Sequence, residues 1–139
     1  MSTARELMTS PAQTLAPTDS VVTAAQALAK NDVGSMPVVD DNGILAGVLT
    51  DRDLVVRGLA EGVDPERGTV ADVLTETVVV VEADDDEAAV INALSQNQVR
   101  RLPVMENNKV VGVISQADLA RELSNSQTGD VVAEISRKE

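Results

Sequence analysis

Gly47-Val48-Leu49-Thr50-Asp51-Arg52-Asp53 returns later in the chain as Gly112-Val113-Ile114-Ser115-Gln116-Ala117-Asp118. Each string is an apolar, strand-like run that ends in a hydroxyl residue and enters a helix. Read locally, it is a capping box: Thr50 or Ser115 is the N-cap, and Asp53 or Asp118, three residues on, accepts a hydrogen bond from the cap's own N–H. The same junction suits a ligand. A helix start offers unpaired N–H groups and a positive dipole end to a phosphate. A carboxylate there can accept both hydroxyls of a ribose, as acidic residues do in dinucleotide sites. Capping and binding use compatible geometry, and the residues alone leave both readings open.

Working outward, the two strings are the clearest part of an internal duplication. Residues 6–41 align with 72–107 without a gap, and 44–54 with 109–119 after one deletion. The identities include Asp19/Asp85, Leu28/Leu94, Asn31/Asn97, Val33/Val99, Pro37/Pro103, Val38/Val104, Gly47/Gly112, Val48/Val113, Asp53/Asp118 and Leu54/Leu119. Each copy reads as strand, helix, strand, strand, helix. The first strand is Thr14-Leu15 or the Val-rich run Val78–Val81. The first helix starts near Thr18, Asp19 and Ser20, or at Asp84, whose pairing with Glu87 resembles a capping box; Val90, Ile91 and Leu94 share one face. Asn42-Gly43 predicts a type I′ hairpin turn, matched by Asn107-Asn108. The second helices run from Asp51 to Ala60 and from Gln116 to Leu123. The expected class is α/β (α+β), with repeat 1 at 5–61, a linker at 62–69, repeat 2 at 70–124 and a tail at 125–139 that forms a short helix from Asp130. A repeat of ~65 residues buries little surface alone, so the two are expected to pack as one pseudo-twofold module with a cleft on each side.

Composition narrows the chemistry. The 139 residues are 43% apolar but contain no Phe, Tyr or Trp, which removes the usual platforms for stacking bases. Eleven basic residues face 23 acidic ones, a net charge of −12 that repels a phosphate backbone, so no nucleic-acid partner is expected. The acidity also fits a high-salt cytoplasm, or ordinary solubility. Without Cys or His, disulfides, thiolate metal sites and imidazole bases are all excluded. No nucleophile–base pair is visible, so the chain is not expected to be an enzyme. No apolar run approaches a membrane span, and residues 1–8 carry Arg5 and Glu6 with no signal-peptide core. A cytoplasmic protein with no membrane partner is expected. Asp84-Asp85-Asp86 reads as a helix start, and Asp40-Asp41-Asn42-Gly43 lacks the spacing of an EF-hand, so no metal site is expected.

The duplicated unit, the Pro-Val after each first helix and the paired Gly-x-x-[Ser/Thr]-x-x-Asp strings resemble a tandem pair of CBS domains (a Bateman module) over about residues 5–124. The chain is similar to the stand-alone mycobacterial hypoxic response type, which holds the pair and little else. The resemblance implies a regulatory homodimer binding an adenosine-containing ligand: AMP, ADP, ATP or S-adenosylmethionine. It places the ribose on Asp53 with Thr50, and on Asp118 with Ser115. It implies an adenine bed of Val33, Gly34 and Met36 for the Asp118 site, and of Val99 and Leu102 for the Asp53 site, with Ile114 among the lining residues. It brings Arg100 and Arg101 to the ligand phosphates, where guanidinium forks suit the oxygens. Dimer contacts are implied for Leu54–Leu59 and Leu119–Leu123. The ligand is regulatory, so no cofactor is expected. Any output passes to an unknown effector protein. The alternative is an interaction module that works through dimerisation without a ligand. Asp51 departs from its counterpart, neutral Gln116, and disfavours an anionic ligand at the first site.

Overall fold

The computed structural model describes residues 2–76, 78–97 and 99–122. They form two compact units that are offset from the sequence repeats. Residues 13–78 make one; residues 2–12 together with 79–122 make the other. The stretch that opens each repeat therefore packs with the other repeat's strands. No described helix is long and apolar enough to cross a membrane. The expected tail helix lies outside the described residues.

In the unit of residues 13–78, Leu15 forms a parallel bridge with Val38 in place of a full first strand. Helix α2 (Val21–Asn31) follows; its N-cap is Ser20, whose hydroxyl accepts the N–H of Thr23 at 3.1 Å. Val21, Ala24 and Leu28 recur at helical spacing and are buried. Strands β1 (Ser35–Val39) and β2 (Leu45–Thr50) pair antiparallel, with Met36 opposite Leu49. Helix α3 (Asp51–Asp53) starts directly from β2 and continues with wider, π-type winding over Leu54–Leu59. The core gathers Leu15, Leu28, Met36, Val38, Leu49 and the later Val70, Val73 and Leu74.

In the other unit, β3 (Val81–Glu82) runs parallel to β4 (Arg101–Glu106), which pairs antiparallel with β5 (Lys109–Ser115). Helix α5 (Glu87–Asn97) lies between β3 and β4 in the chain, and α6 (Gln116–Glu122) follows β5. Val90, Leu94, Leu102, Val104, Ile114 and Leu119 fill the core with Ala4 and Leu7. The expected strand, helix, strand, strand, helix order is complete in this unit; in the unit of residues 13–78 the first strand is reduced to the Leu15 bridge. Each sequence repeat also opens with a turn of helix that the strand reading passed over: α1 (Ala4–Leu7) and α4 (Val70–Val73), with capping boxes Thr3/Glu6 and Thr69/Asp72.

Three local expectations are corrected. The Asn42-Gly43 turn is not type I′, since only Gly43 there has positive φ, at 80°. Asp40 sets that turn instead: its carboxylate accepts the N–H groups of Asn42 and Ile44, as an Asx turn does. The two-residue loop with positive φ at both positions is Asn107-Asn108, at 54° and 65°. Helix α5 is started by Asp86, which accepts from Ala89 N–H at 2.9 Å. Asp84 and Glu87 do not pair: Asp84 accepts from Arg5, and Glu87 from the backbone of Ser2. Arg5 also donates to Glu106, and that hydrogen bond holds the Glu106 carboxyl below its ordinary range. Finally, Leu119 is 1% exposed inside its own core, so it offers no dimer face; Leu123 is outside the described residues.

Candidate functional site

The fold brings each motif carboxylate to the point where the second hairpin strand becomes a helix. Asp53 is 7% exposed and Asp118 is 5% exposed. A carboxylate so deep must find donors, because burying unpaired charge costs far more than a hydrogen bond returns. The capping box supplies the first set in both copies. Thr50 N–H donates to Asp53 Oδ2 at 3.0 Å, and Asp53 N–H donates to Thr50 Oγ1 at 3.0 Å. Ser115 N–H donates to Asp118 Oδ2 at 2.9 Å, and Asp118 N–H donates to Ser115 Oγ at 3.1 Å.

A second set comes from residues to which the sequence reading assigned no role. Thr75 Oγ1 donates to Asp53 Oδ1 at 3.0 Å and lies 3.1 Å from Oδ2. Thr9 Oγ1 donates to Asp118 Oδ1 at 3.0 Å. Arg57 Nε stands 3.9 Å from Asp53 Oδ1 and Arg57 also donates to the Leu74 carbonyl at 2.8 Å. Arg121 donates to Asp118 Oδ1. Thr9 and Thr75 occupy equivalent positions of the aligned repeats, so the repeat alignment itself held the signal. The two arginines are not equivalent; they reach their carboxylates from one helical turn on, at i+4 and i+3.

The glycine that opens each motif makes room for those threonines. The segment with Thr75 crosses β2 and pairs with Val48 by two backbone hydrogen bonds of 2.9 Å. A Cβ on Gly47 would stand 2.4 Å from the Thr75 carbonyl oxygen. The segment with Thr9 crosses β5 in the same way, pairing with Val113 at 2.9 and 3.1 Å. A Cβ on Gly112 would stand 2.4 Å from Met8 Sδ and 2.9 Å from the Thr9 carbonyl oxygen. The motif glycine is thus a steric requirement of the crossing chain.

The other candidates divide by unit. Val33, Gly34 and Met36 lie in the unit of Asp53. Val99, Arg100, Arg101, Leu102 and Ile114 lie in that of Asp118. Met36, Leu102 and Ile114 are buried in their own cores, and Val33 and Val99 pack half-buried against them. The Gly34 carbonyl accepts the N–H of Asp51 at 2.9 Å, and the Arg100 carbonyl accepts that of Gln116 at 3.1 Å. So at one motif an exposed carboxylate stands over a glycine; at the other a neutral amide residue adjoins an arginine. Arg101 opens β4, half-buried, opposite Ser115.

Duplicated α+β units, each ending a hairpin in a buried, hydroxyl-ringed carboxylate, define a tandem-repeat module; among the described residues no group of three or more acids is placed to hold a metal ion. The chain belongs to the CBS-domain family, whose model matches residues 4–58 and 70–125. It is similar to hypoxic response protein 1 of Mycobacterium tuberculosis, 35% identical over 123 residues that cover 88% of this chain and 86% of that protein. The crystal structure of hypoxic response protein I with two coordinated zinc ions superposes with a TM-score of 0.81 at 34% identity, covering 88% of this chain and all of that one. The structure of CBSX2 in complex with AMP gives a TM-score of 0.77 at 27% identity, covering 87% and 95%.

Proposed function

We propose that this chain is a regulatory CBS pair that senses an adenosine-containing ligand, the ribose being taken by Asp53 with Thr50 and by Asp118 with Ser115. The observation that carries the reading is the pair of buried carboxylates. An ionised carboxylate has about four acceptor positions; at Asp53 the capping N–H and the threonine hydroxyl leave room for a diol, while at Asp118 the Arg121 guanidinium takes a third position, so a diol there displaces that side chain, which is 66% exposed. The AMP held by the related CBSX2 structure supports the choice of ligand class. Titration calorimetry against AMP, ADP, ATP and S-adenosylmethionine tests it; saturable heat with at least one of them is expected.

The two sites are expected to differ. The Asp118 site, with Gln116 and Arg100 alongside, favours a phosphorylated adenosine. The Asp53 site carries Asp51 and favours a neutral or cationic one. Asp51→Asn should raise the affinity of AMP for the Asp53 site roughly two- to fivefold at low salt, the scale of an exposed charge interaction. That gain should shrink as salt is added, and calorimetry at two ionic strengths measures it.

The module acts in the cytoplasm as a homodimer and signals to a separate effector protein. Val55, Val56 and Leu59 are 56%, 43% and 73% exposed on one helical segment, an apolar face that a second copy would cover. Light scattering at micromolar concentration should return twice the 14.6 kDa chain mass, and Val55→Glu/Leu59→Glu should return the single mass. A ligand-independent dimerisation module is the second reading. It is favoured by the internal partners that each carboxylate already has, and it predicts no saturable heat.

A further inference from the structure

We infer that Thr9 and Thr75 are positioning residues of the two ligand sites, setting the direction in which each carboxylate presents its free acceptor positions and making the sites selective for a ribose over a deoxyribose. The inference rests on the reading of those carboxylates as ribose acceptors and goes beyond it in assigning residues outside the motif.

The chemistry leaves little freedom. An ionised carboxylate only accepts, so the hydroxyl hydrogen of each threonine must point at it. The hydroxyl oxygen keeps its own lone pairs, which remain able to accept from a ligand hydroxyl. The backbone N–H of Thr50 or Ser115 holds Oδ2 and the threonine hydroxyl holds Oδ1; Thr75 also lies 3.1 Å from Oδ2 of Asp53, and Arg121 adds a second donor to Oδ1 of Asp118. Two donors on different oxygens fix the plane of the group, so its remaining acceptor positions point in fixed directions. Ligand binding then spends no free energy on orienting it.

Neither threonine is placed by chance. Each is pinned by paired backbone hydrogen bonds to the strand that carries the motif, Thr75 to Val48 and Thr9 to Val113. Each lies over a glycine that has no space for a Cβ. Yet each belongs to the chain segment that opens the other repeat. A bare capping box needs only Thr50 or Ser115 with its Asp; burial of the charge calls for a further donor, but gives no reason for that donor to be, at both carboxylates, a hydroxyl whose oxygen can itself accept from a ligand. A site for a hydroxyl-rich ligand gives that reason.

The test compares AMP with 2′-deoxy-AMP by calorimetry on the full chain, in wild type, Thr9→Val/Thr75→Val and Thr9→Ser/Thr75→Ser. Valine keeps the shape and removes the donor; serine restores it. Folding is checked by circular dichroism. The valine pair should lose about tenfold in AMP affinity, the worth of one hydrogen bond to a charged group. It should lose less for 2′-deoxy-AMP, so the preference for ribose narrows, and the serine pair should recover both values. A merely structural role would weaken both nucleotides alike or neither. If the valine pair keeps the wild-type affinity and preference while Asp53→Ala/Asp118→Ala loses binding, the assignment of the threonines is wrong and the ribose reading survives. If the wild type binds no AMP, both fall.

Discussion

Gly47→Ala is expected to destabilise the unit of residues 13–78 by about 1–3 kcal/mol, the range for forcing extra volume into a packed site. The methyl group would meet the Thr75 carbonyl oxygen at 2.4 Å and Leu74 Cδ1 at 2.6 Å. The oxygen is backbone, tied to Val48 N–H, so relief requires the crossing segment to lift. Lifting it withdraws Thr75 from Asp53 and Leu74 from the core. The melting temperature, followed by circular dichroism because the chain has no Trp or Tyr, should fall by roughly 3–6 °C per kcal/mol. Gly112→Ala should cost less, since two of its three nearest atoms belong to the flexible side chain of Met8. Gly58→Ala is the internal control. Its nearest neighbours stand 3.9 Å away in a helical segment, so alanine should stabilise by about 0.5–1 kcal/mol. An unchanged melting temperature in Gly47→Ala would mean that the crossing segment does not lie on β2.

Asp118→Ala should weaken AMP binding roughly 10- to 100-fold, the loss of one or two hydrogen bonds to a charged acceptor. Asp53→Ala should weaken the same binding much less, because Asp51 already sets that site against phosphate. Each substitution also strips one capping box and leaves a threonine hydroxyl without its acceptor, at a cost of about 1–2 kcal/mol in stability. Affinities are therefore compared well below the melting temperature of each variant. Comparison with Asp118→Asn separates charge from shape, since Asn retains an acceptor for Ser115 N–H. Equal losses in the two alanine variants would remove the proposed difference between the sites.

How much of this was legible in the sequence depends on the range of the interaction. The capping boxes at Thr50/Asp53 and Ser115/Asp118 are local, three residues long, and the chain states them outright. The hairpins and their following helices are likewise local, and the repeat doubles each signal. Turn type was less legible: Asn42-Gly43 reads as type I′ on dipeptide preference, but the carboxylate of Asp40 captures two N–H groups and selects another loop. The start of α5 was misplaced by two residues because three consecutive aspartates compete for one cap, and Arg5, distant in sequence, claims Asp84. The threonines were hidden for the same reason of distance. Thr9 reaches Asp118 across 109 positions and Thr75 reaches Asp53 across 22, separations that no spacing rule covers. Only their equivalence in the repeats, together with the two glycines, could have suggested that something passes over each motif strand.

The most direct test of the central claim is titration calorimetry of AMP into the wild-type chain and into Asp118→Ala, at one pH and one ionic strength. The account predicts saturable heat in the wild type and an affinity at least tenfold weaker in the variant, with bound AMP raising the wild-type melting temperature as ligand linkage requires. Saturable heat of equal affinity in both proteins, or none in the wild type, would contradict it and leave the buried carboxylates as helix caps.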